Sequence, residues 1–143
     1  YADLDDATRA LIEGRKAIHA FEPLRQALIK RGASNEELAQ YAKDYPTVTH
    51  PIVRTHPVSG RKSIYVNGLF TLGIEGMPDT QSRPLLKKLF ATAAKPEHQC
   101  RFRWRENSIA FWDNRAAQHY ASADYYPNER IMERVTIQGD RPF

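Results

Sequence analysis

A strongly alternating segment near the C-terminus, IMERVTI at residues 131–137, restricts the fold of this chain more than any other stretch. Apolar and polar residues alternate along it and several are β-branched, a pattern that predicts a β-strand. Arg130 and Arg134 fall on the same face as Met132 and Thr136, because the side chains of a strand project to alternate sides. The two arginines would then stand roughly 13 Å apart along the strand. A guanidinium stays charged, so each arginine would need an anion if this face were enclosed.

His119 lies before this segment, in a run that reads as a loop. A histidine close to two arginines that face inward would suit a metal site with anionic ligands or substrates. The alternative is a surface or hydrogen-bonded structural histidine, with the arginines paired on a solvated strand face to Asp124, Glu129 or Glu133. The spacing of these residues alone leaves both interpretations open.

The rest of the chain contains short helix and strand patterns joined by turn residues. Apolar periodicity predicts helices over residues 6–21, with Gly14 as a weak point, and over 24–30, 34–43 and 82–94. Strand patterns occupy residues 52–56, 62–67, 101–105 and 108–113, and a Pro-Val-Ser-Gly turn joins the first two. Ser34 and Glu37 form a capping box at the start of one helix. These elements predict a mainly β domain with flanking helices.

Composition argues against several classes of partner. No apolar run approaches the ~20 residues that span a bilayer, and no secretory leader is recognisable, so we expect no membrane partner. The single cysteine, Cys100, excludes an internal disulfide framework and is typical of a cytoplasmic protein. The 21 basic residues are interleaved with 17 acidic ones, so the net charge of +4 favours small anionic substrates over nucleic acid. Phe102 and Trp104 alternate with arginines instead of sharing their face, which argues against an oligonucleotide-binding fold.

Three stretches carry a resemblance to a known family. The run WDNRAAQHYASADYYPNERIMERVTIQGDRPF resembles the C-terminal signature of the taurine dioxygenase (TauD/TfdA-like) family of Fe(II)- and 2-oxoglutarate-dependent dioxygenases. HPIVRTHPVSGRKSIYVNGLF resembles the hairpin that precedes it in the family, and YADLDDATRALIEGRKAIHAF resembles the helix before the family's variable lid. The resemblance implies a double-stranded β-helix, or jelly roll. Residues 1–143 would be the C-terminal part of one such domain, with residues 22–48 as a lid or surface excursion. Because the chain starts at Tyr1 without methionine, we expect that the domain's N-terminal portion precedes it.

The resemblance also implies roles for individual residues. His119 matches a metal ligand, Arg130 the arginine that binds 2-oxoglutarate, and Arg134 and Phe70 residues that contact the substrate. Trp112 matches a tryptophan that packs near the iron, and no residue here matches a catalytic acid or base. The chain departs from the family pattern in containing no His-X-Asp or His-X-Glu motif, so the other two metal ligands are expected upstream of Tyr1. The remaining histidines of the hairpin, His50 and His56, are interpreted as structural or surface residues.

The activity implied by the resemblance is hydroxylation of a small organic anion with dioxygen and 2-oxoglutarate. Taurine or another alkylsulfonate is the first expectation, with sulfite, an aldehyde, succinate and CO2 as products. A sulfate ester or an aryloxyalkanoate would suit Arg134 equally well, and Gly73 stands where the taurine enzymes often have an arginine. A jelly-roll module that binds an anion without catalysis is the alternative from another class. The sequence leaves open whether the protein is a homo-oligomer.

Overall fold

The computed structural model describes residues 1–122 and 124–143. Within these ranges, four α-helices and five short strands precede a long segment without regular structure. The helices are α1 (Asp6–Ile12), α2 (Glu22–Lys30), α3 (Asn35–Asp44) and α4 (Asp79–Ala93). The strands are β1 (Lys16–His19), β2 (Val48–Pro51), β3 (Val53–Thr55), β4 (Lys62–Ile64) and β5 (Thr71–Ile74). A 3-10 turn at Pro96–His98 follows α4.

β1 is the central strand of a three-stranded antiparallel sheet with the order β2-β1-β5. Ala17 of β1 pairs with His50 of β2 on one side and with Ile74 of β5 on the other. β3 and β4 form a separate antiparallel hairpin. The turn of this hairpin contains Gly60 at φ +68°, a left-handed conformation that glycine adopts without steric cost. The hairpin and its turn confirm the prediction made from the sequence.

The helix predicted over residues 6–21 is wrong in its second half. α1 ends at Ile12, Glu13 is extended, and Gly14 has φ +71°, outside the helical region. The chain then continues as β1, so Ile18, which suits a helical stripe, lies in a strand. Tertiary pairing overrides the local pattern, because β1 forms ladders with two neighbours at once.

One hydrophobic core joins α1, α4 and the two sheets. Its buried members are Leu4, Ile12, Ala17, Ile52, Val66, Ile74, Leu86 and Leu89. α4 packs on β5, where the buried hydroxyl of Ser82 accepts a hydrogen bond of 3.0 Å from the Ile74 amide. Leu86 and Leu89 belong to the apolar stripe predicted for this helix, which begins three residues earlier than expected, at Asp79.

The strands predicted at residues 101–105, 108–113 and 131–137 are wrong for this structure. The described residues from 99 onward form no strand, and Ile109 and Val135 are 89% and 93% exposed. A strand is stable only when a neighbour supplies hydrogen bonds and a surface to pack on. Since no neighbouring strand in the described ranges pairs with these segments, nothing offsets the entropy cost of ordering them.

α2 and α3 occupy most of the region 22–48. The predicted capping box is formed: Ser34 Oγ accepts from the Glu37 amide at 3.2 Å, and the Glu37 carboxylate accepts from the Ser34 amide at 2.8 Å. Leu38 is buried, whereas most side chains of α3 are exposed. α3 therefore exposes most of its side chains to solvent.

Antiparallel sheets with flanking helices agree with the general class predicted from the sequence. Among the helices that the structure describes, none combines the length and the apolar character needed to cross a membrane.

Candidate active-site loop

His119 lies at the end of a turn-rich segment that begins with Trp112. Its side chain is exposed, and within the described ranges its ring nitrogens have no hydrogen-bond partner. The Trp112 ring lies against it, with the ring centroids 5.1 Å apart and the planes at 51°. Trp112 Nε1 in turn donates to Asn114 Oδ1 at 2.8 Å. An imidazole with free ring nitrogens, held against an aromatic ring, is available as a ligand.

Asp113 organises the turn that precedes His119. Its Oδ1 accepts from the Arg115 amide at 2.8 Å, and its Oδ2 accepts from Arg115 Nη2 at 2.8 Å. The amides of Ala116 and Ala117 donate to the Asp113 carbonyl at 3.1 and 3.0 Å. The hydrogen bonds from Arg115, and then the one from His56, hold the pKa of the Asp113 carboxyl well below its ordinary value of 3.8. Asp113 is therefore ionised at neutral pH.

His56 reaches this turn from the β3–β4 hairpin. Its Nε2 lies 3.0 Å from Asp113 Oδ2. Its Nδ1 accepts the amides of Val58 and Ser59 at 3.3 and 3.1 Å, so the ring proton is on Nε2 and is donated to Asp113. The interpretation of His56 as merely structural or surface missed this contact, because its partner is 57 residues away and no local pattern connects the two.

Gln118 provides a second connection between the loop and the sheets. Its Nε2 donates to the carbonyl of Val66 at 2.9 Å, and Val66 is a buried core residue that follows β4. The loop is thus fixed to the folded part of the chain just before His119 as well as at Asp113.

The two arginines lie on the irregular C-terminal segment. Arg130 is half-buried, with its guanidinium carbon 5.5 Å from the centre of the Tyr125 ring, a cation–π contact. Arg134 is exposed. Asp124 pairs with Arg101 at 2.9 Å, and no carboxylate in the described ranges pairs with Arg130 or Arg134. Both guanidinium groups are therefore without a counter-ion there, although the strand expected to align them is not formed.

Phe70 lies immediately before β5, at the end of a turn built on Asn67. The Asn67 side-chain oxygen accepts the amides of Leu69 and Phe70 at 3.0 and 2.9 Å, and the Phe70 carbonyl accepts the Ala20 amide at 2.9 Å. These bonds fix the backbone, while Phe70 as a whole residue stays 37% exposed. The structure records a ring contact to His119 from Trp112 but none from Phe70.

The described residues do not by themselves complete a metal site. A facial-triad site for Fe(II) needs two histidines and a carboxylate. No three His, Cys, Asp or Glu side chains come together for a metal in residues 1–122 and 124–143. Among the described residues His119 is therefore the candidate ligand, and these residues do not form a complete coordination site.

Comparison with known families places these residues in context. The family described as "Taurine catabolism dioxygenase TauD, TfdA family" matches residues 1–136, a range that includes His119, Arg130 and Arg134.

Similar proteins carry related names. An alpha-ketoglutarate-dependent sulfate ester dioxygenase from Pseudomonas putida is 34% identical over 99% of this chain and 48% of that protein. An alpha-ketoglutarate-dependent 2,4-dichlorophenoxyacetate dioxygenase from Burkholderia sp. (strain RASC) is 30% identical over 99% of this chain and 46% of that protein. The crystal structure of a taurine dioxygenase from Burkholderia xenovorans superposes with a TM-score of 0.63 and 33% identity, covering 81% of this chain and 35% of that one. The chain spans about half the length of these curated relatives.

Proposed function

The chain belongs to the TauD, TfdA family of taurine catabolism dioxygenases, and on this premise we propose that the protein is an Fe(II)- and 2-oxoglutarate-dependent dioxygenase. The proposed substrate is a small organic anion, first of all taurine or another alkylsulfonate. The family match over residues 1–136 is the observation that carries this proposal, because it spans the loop of His119 and both arginines. 2-Oxoglutarate is the compound that the relatives' names call alpha-ketoglutarate.

Each candidate residue has a role in this proposal. His119 would be the iron ligand that this chain supplies, since its imidazole is exposed and has no partner in the described ranges. Arg130 would bind the far carboxylate of 2-oxoglutarate, and Arg134 the anionic group of the substrate, as paired charge-assisted hydrogen bonds. Phe70 would pack against the substrate and Trp112 beside His119. Bound Fe(II) with 2-oxoglutarate would supply the oxidising chemistry, and the residues named here would bind and orient.

The wider architecture is part of the same proposal. Residues 1–143 would form the C-terminal part of a jelly-roll domain, with α2 and α3 as a lid over the substrate. Their exposed faces and their position between β1 and β2 support this assignment. A cytoplasmic location agrees with the single, exposed and unpaired cysteine, Cys100.

The test is an anaerobic titration of the protein in its full length with Fe(II) and 2-oxoglutarate. We expect a weak visible charge-transfer band that is absent from His119→Ala, while Arg130→Lys weakens 2-oxoglutarate binding. Arg83→Gln, which removes an exposed ion pair on α4, is the matched control and should behave as wild type. A well-folded protein without the band would contradict the enzyme and leave the non-catalytic anion-binding module.

The names of the relatives favour a second set of substrates. One relative is named for sulfate esters and another for 2,4-dichlorophenoxyacetate, and all of these substrates carry an anionic group that Arg134 would suit. Succinate formation measured with taurine, a longer alkylsulfonate, an alkyl sulfate and an aryloxyacetate ranks the three classes. Sulfite release accompanies turnover of the sulfonates and is absent for the aryloxyacetate.

A further inference from the structure

We propose that His56 is a positioning residue for His119, acting through its hydrogen bond to Asp113. This inference rests on the proposed function, in which His119 is a metal ligand. It goes beyond that function by giving a task to a hairpin residue that would contact neither metal nor substrate.

His56 is suited to this task because it is itself firmly held. Its amide donates to the Arg61 carbonyl at 2.9 Å, and its carbonyl accepts the Gly60 amide at 2.9 Å, so its backbone closes the β3–β4 hairpin. Its side chain is 13% exposed, and Nδ1 is held by the amides of the turn. The ring can therefore present Nε2 in only one direction, toward Asp113.

The loop transmits this constraint to His119. Asp113 and Gln118 are its two fixed points, one bonded to His56 and the other to the Val66 carbonyl. Trp112 directly precedes the first point and His119 directly follows the second, and their rings meet at 5.1 Å. A ligand held to within a few tenths of an ångström by such outer contacts binds metal more tightly than one on a free loop.

Two substitutions of His56 separate positioning from a merely structural role. His56→Asn keeps an acceptor near the place of Nδ1 for the turn amides but loses the donor to Asp113. His56→Gln keeps a donor that reaches Asp113 but loses the acceptor. Asp113→Asn removes the acceptor side of the same bond, because an amide has one oxygen and cannot accept from both His56 and Arg115 as the two carboxylate oxygens do.

The assay is a titration of the full-length protein with Co(II) alone, together with thermal unfolding of the metal-free protein. We expect about tenfold weaker Co(II) binding and altered Co(II) absorption bands for His56→Asn and Asp113→Asn, the lower end of the usual effect of an outer-shell partner. His56→Gln should stay near wild type in Co(II) affinity. The double variant His56→Asn/Asp113→Asn should lose no more than Asp113→Asn alone, because the hydrogen bond between the two residues is already lost in that single variant.

Other outcomes overturn the proposal. A purely structural histidine would reverse the order, with His56→Gln worse than His56→Asn, and independent roles would make the two losses additive. If the wild-type protein binds no Co(II), the proposed function fails, and the positioning inference is then decided without metal. In protein with 13C-labelled histidine, the His119 ring signal should shift in His56→Asn and stay unchanged in Arg83→Gln. An unshifted signal would refute the positioning role.

Discussion

Acidification should destabilise this fold through two neighbouring histidines, His19, which is buried, and His50, which is half-buried. The rings of His19 and His50 meet edge-on at 5.3 Å, and the Tyr65 ring lies 6.0 and 5.7 Å from them. Arg54, only 3% exposed, stacks on the same Tyr65 ring at 5.2 Å. His19 Nε2, His50 Nδ1 and Arg54 Nε are buried without a hydrogen-bond partner in the described ranges. A proton added to His19 would therefore place a charge in a site that is largely shielded from water.

The magnitude follows from the pKa of His19. Burial, and then the neighbouring His50, lower the pKa of His19 from 6.5 to about 4. A group whose folded pKa lies below its unfolded pKa binds protons more readily in the unfolded chain, so the fold is most stable above pH 6.5 and loses stability as the pH falls toward 4. The full shift corresponds to about 3 kcal/mol. We take half of this value, because His50 is only half-buried and solvent screens the cluster. Since pH 5 is still above the folded pKa of His19, part of the loss falls below that pH, and the expected decrease in the free energy of unfolding by pH 5 is roughly 1 kcal/mol.

Urea unfolding between pH 7.5 and 5 measures this loss and avoids the range in which carboxylates titrate. Burial also lowers the pKa of His50, followed by the charges of Arg141 and Arg54, so its contribution has the same sign. His19→Gln should flatten the dependence of the free energy of unfolding on pH, whereas Arg83→Gln, at an exposed position of α4, should leave the slope as in wild type. If wild type and His19→Gln lose stability in parallel, the reasoning from desolvation is wrong.

Three further substitutions test the fold by urea unfolding at neutral pH. Leu89→Ala removes a side chain that is 0% exposed, and we expect a loss of about 2–5 kcal/mol; a loss below 1 kcal/mol would contradict the packing of α4 on the core. Gly14→Ala should cost about 1–2 kcal/mol, because φ is +71° there; an unchanged stability would show that Gly14 does not adopt this left-handed conformation. Ser34→Ala should cost about 1 kcal/mol through loss of the capping box, and helical circular dichroism should fall with it; Glu22→Ala, at an exposed position of α2, should have less effect on both readings.

The family motifs identify the residues of the candidate site but not their arrangement in space. His119, Arg130, Arg134, Phe70 and Trp112 could be named from motifs because each is a particular residue type at a particular position. The contacts that these side chains make could not be predicted from the motifs. The structure brings Trp112 to His119, whereas Arg130 lies on Tyr125, and these placements depend on contacts that no local spacing encodes.

The sequence alone determined those parts of the protein whose cause is local. The capping box of α3, the apolar stripe of α4 and the Pro-Val-Ser-Gly turn of the hairpin each depend on residues a few positions apart, so the pattern and the structure agree. The sequence also indicated the family, because a family motif is recognised from the types and order of its residues, without knowledge of how they pack.

Only the tertiary structure decided what depends on distant partners. Residues 16–19 suit a helix or a strand, and the ladders to β2 and β5 make them a strand. Residues 131–137 alternate as a strand should, yet form none, because no neighbour in the described ranges pairs with them. The His56–Asp113 bond spans 57 residues of chain. Strand pairing and long-range hydrogen bonds each require two segments to meet, and a one-dimensional pattern specifies only one segment at a time.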